Sequence, residues 1–460
     1  MTRVAPSFAA GLAVILSAAL AGCVTPSYPV DGPARPTPSK PGPTKPVPSK
    51  PEPPRVLPPR TYPTTPPRTS PGGPTTPTPS GPAPSIAFEP ASFDQLPGWA
   101  GTDPSAAREA FRRQCALWAR KDAQSLLTQS DLGYGGRIAD WAPACQEAVQ
   151  DGDPRAFFER NFTPWRVTSE GGEAKLTAYY APSIAARRTR QAGFTEPLLP
   201  VPNDMLIIDI PAFAEALDSE SLRKVGARLK GRLKDGRVVP YADRAEIARS
   251  GRQGFAWAHP ADVYNLQVQG SGRLTFPGGE TACAAFAEQN GYKWRSALGP
   301  VTKRPDWPRN PAGTWASLKQ YWDENPDAAR PDLDADPSYV FFQEKPGRDG
   351  ACATGASGAL LVGGGSMAVD PRYHPYGAPI FLVGASAAAG GPLPALMIAQ
   401  DTGGAIKRGP LRGDLYLGEG REAGVAAEKV NVAGPAFWVL LPSGMQPPPP
   451  KGGMAAPAGR

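Results

Sequence analysis

A chain of 460 residues with 40% hydrophobic side chains, 20% charged ones and 59 prolines is long enough for two cores, but its prolines keep part of it from folding. The formal charge is +7, yet Arg3, residues 26–86, Lys451 and Arg460 together carry +8, which leaves −1 for the body at 87–443. A body without basic excess excludes charge-driven nucleic-acid binding, and two histidines with five cysteines in no CxxC spacing exclude an ordinary zinc site.

The N-terminus reads as an export signal over residues 1–22. Arg3 precedes a short apolar run, "FAAGLAVILSAALA", which leads into "LAGC", Leu20 to Cys23. That tetrapeptide resembles the bacterial lipobox, whose cysteine becomes the lipidated first residue after cleavage. Val24 rather than Asp at the next position implies the outer membrane, so the reading is an outer-membrane lipoprotein facing the periplasm. One acyl chain binds only marginally, so stable anchoring implies several on Cys23.

Residues 23–86 read as the lipidated Cys23 followed by a disordered tether, because positions 26–86 hold 23 prolines and almost no large apolar residues. In an extended polyproline-like conformation this stretch reaches at most ~190 Å. Residues 444–460, rich in Pro, Gly and Ala, read as a second disordered tail.

The body opens with two helices. "TDPSAAREAFRRQCALWARKDA" places Asp103 at the cap and Pro104 at the first turn, with Phe111, Cys115 and Trp118 on one face. "RIADWAPACQEAVQ" aligns Ile138, Trp141 and Cys145 in the same way. Export permits disulfides, and these two apolar faces make Cys115–Cys145 the favoured pair, with Cys283–Cys352 a weaker one. Strand-like alternation follows in "AKLTAYYAP", and further strands are predicted in "DVYNLQVQGSGRLTF", "SYVFFQEK", "SMAVD", "APIFLVG", "PALMIAQD", "GDLYLGE" and "FWVLLP". The fold class is therefore mainly β with helical additions.

Neither histidine stands in a Ser/His/Asp or Cys/His context, and no GxSxG, P-loop or dinucleotide fingerprint occurs. No cofactor and no metal is expected. Carboxylates and Gly-rich polar loops remain: "QGSGR" at 269–273, and "QDTGGAIKRGPLRGD" at 400–414 with Asp401 and Asp414. Such donors and acceptors beside Tyr and Trp suit a carbohydrate groove.

The ordered motifs "LTAYYAP", "YADRAEI", "LQVQGSGRL", "NGYKWRSALG", "DPSYVFF", "GSMAVDPRYHPYGAPIFL" and "AQDTGGAIK…RGDLYLGEGREAG…WVLLP" resemble the membrane-bound lytic murein transglycosylase A family over nearly the whole body. The resemblance implies a double-psi β-barrel at 87–182 plus 336–443, with a second β-domain inserted at 183–335 and a glycan groove between them. It implies cleavage of the MurNAc–GlcNAc bond of peptidoglycan to 1,6-anhydro ends, with exolytic action, and glycan strands as the partner. The outer membrane and a cell-wall synthesis or division complex are further candidate partners.

By position in the motif, Asp414 is the catalytic acid. Asp401 and Lys407 support it, and Thr177, Tyr180, Gln269, Ser271, Arg273 and Gly403 line the groove. Tyr179 and Trp257 read as core. Lys407 or Arg412 near Asp414 would oppose the raised pKa that an acid needs. Other readings stay open: Asp401 as an Asx turn, the groove residues as structural, the protein as a non-catalytic peptidoglycan-binding lipoprotein, or a water-using glycosidase with Asp401 as base. Two departures from the family pattern bear on the site: an extra residue between Lys407 and Asp414, and Thr281 and Ala284-Ala285 where Arg and Tyr are usual.

Overall fold

A computed structural model describes residues 84–128, 134–225, 228–347, 350–386, 391–392 and 395–449. The signal segment 1–22, Cys23, the tether as far as 83 and the tail from 450 lie outside the described residues. Ile86 is already buried and Met445 still packs on the first core, so ordered packing runs slightly past 87–443 at both ends.

The larger sheet has nine strands. Across it lie Ala87–Pro90, Phe162–Thr168, Ala436–Pro442, Pro379–Val383, Ala395–Asp401, Ser366–Val369, Arg412–Glu419, Lys175–Ala181 and Asn431–Ala433. Chain neighbours are seldom sheet neighbours, and parallel pairs (Ser366–Val369 with Ala395–Asp401, Arg412–Glu419 with Lys175–Ala181) alternate with antiparallel ones. This crossed-over, nearly closed sheet is the double-psi β-barrel architecture.

Leu176, Met367, Ile398, Leu415 and Val439 fill its interior. Ala436–Pro442 and Pro379–Val383 are apolar at consecutive positions because both faces of those strands are covered. The helix Ser105–Trp118 lies on one face. It begins one residue later than the sequence suggests, with Asp103 accepting from the Ser105 backbone N–H. Phe111, Trp118, Trp141, Phe157 and Phe162 interlock in edge-to-face and tilted ring pairs. Cys115 and Cys145 are joined there, with Cα atoms 5.5 Å apart.

The second lobe carries a six-stranded sheet in the order Val340–Lys345, Thr281–Gln289, Gly272–Thr275, Ser183–Arg187, Ala256–Ala258, Glu196–Leu198. That sheet runs past residue 335 to include Val340–Lys345. A three-stranded sheet, Leu206–Asp209, Arg228–Lys234 and Arg237–Pro240, adjoins it. The helices Pro260–Gln269, Thr314–Glu324 and Pro326–Asp334 contribute to a separate core around Tyr264, Tyr321 and Trp322.

One strand expectation fails here: "DVYNLQVQ" is helical, not extended. His259 caps the helix by accepting from the Ala261 N–H, and Pro260 presets the first turn. Gly270 then ends it at φ 91°, a left-handed conformation that glycine adopts without penalty. Only the last part of that motif, Gly272–Thr275, is strand.

Candidate active site

Asp414 sits inside the strand Arg412–Glu419, paired on both edges. Its parallel partner is Thr177 and its antiparallel partner is Ala368. Asp401 ends the strand Ala395–Asp401 and also registers with Ala368. The two carboxylate-bearing strands thus flank the same strand at the same level, which sets their backbones roughly 10 Å apart. The thirteen-residue spacing read in the sequence spans two sheet positions joined by one loop.

That loop is pinned from below. Buried His374 donates through Nε2 to the Pro410 carbonyl at 2.7 Å, and its Nδ1 meets the Tyr134 hydroxyl at 2.7 Å. Burial pushes the imidazole down to about 4, so it stays neutral and acts as a strut, not a base.

The two carboxyls live in different surroundings. Asp401 is held by three donors: Oδ2 accepts from the Tyr179 hydroxyl at 2.8 Å, and Oδ1 accepts from the backbone N–H groups of Ala356 (2.9 Å) and Thr402 (2.8 Å). Burial raises its pKa, and those three donors hold it back. Asp414 accepts one hydrogen bond among the described residues, from the Thr177 hydroxyl to Oδ1 at 2.5 Å. Its residue surface is only half-buried, but the carboxyl itself is densely enclosed. Burial lifts it to about 6, with Asp401 adding to the rise and Thr177 and Arg412 opposing it. A carboxyl so placed holds a proton far nearer neutrality than an exposed aspartate does.

The other expected site residues divide. Thr177 touches Asp414. Tyr180 does not: its hydroxyl accepts from Asn265 at 2.7 Å, on the opposite side of the strand. Gln269 accepts from the Tyr180 N–H at 3.1 Å, which brings the "QGSGR" loop to within roughly 10 Å of Thr177 along the strand. Ser271 is half-buried with no hydrogen bond among the described residues.

Arg273 is engaged elsewhere. It bonds the Gly350 carbonyl and pairs with Glu419 at 2.8 Å, so it clasps the second lobe to the end of the Asp414 strand. Gly272 lets the loop pack against Pro182, since a Cβ there would lie 2.4 Å from the Pro182 carbonyl. Gly403 follows Asp401 by two residues, and a Cβ there would make ordinary contact with Ile406 at 3.6 Å. Lys407 is exposed and none of the groups shifting Asp414; the cation at the site is Arg412. Trp257 is core as expected, but Tyr179, expected there too, reaches into the site to hold Asp401.

Sequence reasoning did not find the Arg273–Glu419 clasp or the Tyr179–Asp401 bond. The signal for the latter lay in strand parity, because Thr177 and Tyr179 share a face. Size alone does not locate the site: two concavities of about 600 and 640 Å³ open in and beside the second lobe, and neither is lined by Asp414.

Residues 175–343 match the MltA specific insert domain, and residues 365–440 match the 3D domain. The membrane-bound lytic murein transglycosylase A of Escherichia coli strain K12 is 30% identical over 299 residues, covering 63% of this chain and 72% of that protein. The chain belongs to the membrane-bound lytic murein transglycosylase A family.

Two solved members show the same fold at 27% identity, each with a TM-score of 0.62. MltA from Neisseria gonorrhoeae aligns over 79% of this chain and 93% of its own, and the Agrobacterium tumefaciens membrane-bound lytic murein transglycosylase over 78% and 98%. The 3D match falls on the nine-stranded sheet, and the insert match covers the six-stranded sheet as far as residue 343 but also takes in Lys175–Ala181 of the larger one. Asp401 and Asp414 lie on the 3D-domain side, and Gln269 to Arg273 on the insert.

Proposed function

We propose that this protein cleaves the MurNAc–GlcNAc β-1,4 bond of peptidoglycan without water, leaving 1,6-anhydro-MurNAc ends, and acts exolytically. The observation that carries the reading is Asp414: one enclosed carboxyl raised to about 6, with a single fixed donor on one oxygen, beside a second carboxylate already satisfied. Protonated Asp414 gives its proton to the glycosidic oxygen as the bond to C1 of the muramyl ring breaks and the pair of electrons leaves with GlcNAc. The C6 hydroxyl of the same ring then closes on C1, and its proton goes to the Asp414 carboxylate. The nucleophile is internal, with an effective molarity of roughly 10⁵ M or more when aligned, so no second carboxylate has to activate water.

Asp401 in this scheme is a fixed negative charge. With three donors on its two oxygens it is poorly placed to serve as a water-activating base, which disfavours a hydrolytic reading. Thr177, Gln269, Ser271 and Gly403 form the part of the groove nearest the acid. We place the protein at the outer membrane, facing the periplasm through lipidated Cys23. Among the described residues no helix is long and apolar enough to cross a membrane. The family-level domain assignment, 87–182 plus 336–443 around an insert at 183–335, belongs to the same proposal, with the insert's end moved to Lys345 because Val340–Lys345 pairs in its six-stranded sheet.

Digestion of purified murein sacculi followed by mass spectrometry of the muropeptides tests the reading. Anhydro-muropeptides are expected, and Asp414→Ala abolishes them while the protein stays folded. Reducing ends would identify a hydrolase, and intact glycan a non-catalytic wall-binding lipoprotein. Undiminished turnover by the variant would remove Asp414 from the chemistry.

A further inference from the structure

Arg412 stands two residues before Asp414 on one strand, so both side chains leave the same face. It is 6% exposed, and its charge acts on the carboxyl of Asp414. Its Nη1 bonds the Lys175 and Gly413 carbonyls, and its Nε lies 3.5 Å from Glu173, which also meets Arg408 at 3.8 Å. Its Nη2 donates to the Thr177 hydroxyl oxygen at 2.8 Å, and that same hydroxyl bonds Asp414 Oδ1.

A guanidinium has donors only. The Thr177 oxygen therefore receives a hydrogen from Arg412, and Asp414 Oδ1 is the acceptor that its own hydrogen meets among the described residues. Without Arg412 the hydroxyl could turn and accept from a protonated Asp414 instead, placing the acidic proton on the inner oxygen.

We infer that Arg412 is a positioning residue for the proposed reaction: through Thr177 it reserves Asp414 Oδ1 as a hydrogen-bond acceptor, so that Oδ2 alone carries the proton to the glycosidic oxygen and receives it back from the C6 hydroxyl. This inference rests on the transglycosylase reading. The balance is one proton out and one proton back on the same oxygen, with no other reactant. The charge has a second effect. Arg412 favours the carboxylate, so it stops burial and Asp401 from raising the acid further; Tyr179, neutral, and Asp401 are the other polar groups facing the carboxyl from the neighbouring strands. Burial in turn lowers Arg412's own pKa, opposed by Asp414 and Glu173.

The test is steady-state kinetics of the full chain on solubilised glycan strands between pH 4 and 9. Arg412→Met is expected to lower kcat roughly 10- to 100-fold, with KM changed by less than about threefold. The basic limb of the kcat profile moves up, because the acid loses a cation that favoured its ionised form. Thr177→Val is expected to match that kcat loss, and Thr177→Ser to recover most of the activity. The double variant Arg412→Met/Thr177→Val should be no worse than either single one, since both break the same chain.

An unshifted basic limb in Arg412→Met, or losses that multiply in the double variant, would overturn the inference while leaving the function intact. Should Arg412→Met fail to fold, equal kcat in Thr177→Val and wild type overturns it alone. Persistent activity in Asp414→Ala overturns both the inference and the function beneath it.

Discussion

Asp414→Asn is expected to abolish transglycosylation and to make the protein more stable at neutral pH. The rate loss is about 10³-fold or more, since an amide can neither give nor take the proton. The stability gain follows from linkage. Asp414 is raised to about 6 in the folded protein, against about 3.9 for an unfolded aspartate. The folded state thus binds this proton more tightly, and the group's contribution is fully present below about pH 4 and lost as pH rises through about 6.

Two pKa units correspond to nearly 3 kcal/mol. Partial solvent access reduces that to on the order of 2 kcal/mol, or about 2–3 °C in melting temperature for a body of this size. Thermal melts of wild type and Asp414→Asn should therefore coincide near pH 4 and separate above pH 6, with the variant higher. Melts of variant and wild type that coincide at both pH values would mean that the carboxyl is not strained by burial, and the acid role would lose its physical basis. Such a gain on loss of function is what a polar group kept in an apolar surrounding for chemistry should produce.

How much of this could be read from the chain differs by element. The strands around the carboxylates were legible because "PALMIAQD", "GDLYLGE" and "FWVLLP" are short apolar runs closed by glycine or proline, and a covered strand needs no more than that. "DVYNLQVQ" misled because Val263, Asn265 and Gln267 alternate with Tyr264, Leu266 and Val268. The deciding signal was Pro260 behind a capping His259 rather than the alternation. The motif pointed to Asp414 as a candidate, but it did not disclose the neighbours of that carboxyl. Lys407 and Arg412 both precede Asp414, by seven and two residues, and the loop's path, held by His374, turns Lys407 outward while Arg412 stays in the sheet. Arg273 shows the converse limit. Its place in a Gly-rich polar loop suits a sugar contact, yet Glu419 approaches from 146 residues away and takes the guanidinium.

That clasp leads to the second large expected effect. Cys283 is the cross-strand partner of Arg273 and is disulfide-bonded to Cys352, whose backbone N–H donates to Glu419. Glu419 Oε2 in turn accepts from Arg273 at 2.8 Å. The ion pair, together with the disulfide acting through the Cys352 N–H, therefore fastens the insert's sheet to the strand that carries Asp414, five residues from that carboxyl. The Cys283–Cys352 link closes 69 residues and Cys115–Cys145 closes 30. By chain entropy each contributes about 4 kcal/mol. Pairwise replacement by Ser should thus lower the melting temperature by about 5 °C in either case.

The two pairs differ in what they fasten. Cys115–Cys145 ties two helices on the far side of the barrel core, so its loss should leave kcat on glycan strands near wild type at 25 °C. Loss of Cys283–Cys352 frees one half of the clasp, and the groove between Gln269 and Asp414 then depends on a partly exposed ion pair worth at most about 1 kcal/mol. Its expected signature is a rise in KM of severalfold at a temperature where the protein is still folded, deepened when Arg273→Ala is added. Equal KM in both Ser-pair variants would show that the insert is held in register by packing alone, and that the Cys283–Cys352 bond serves stability without shaping the groove.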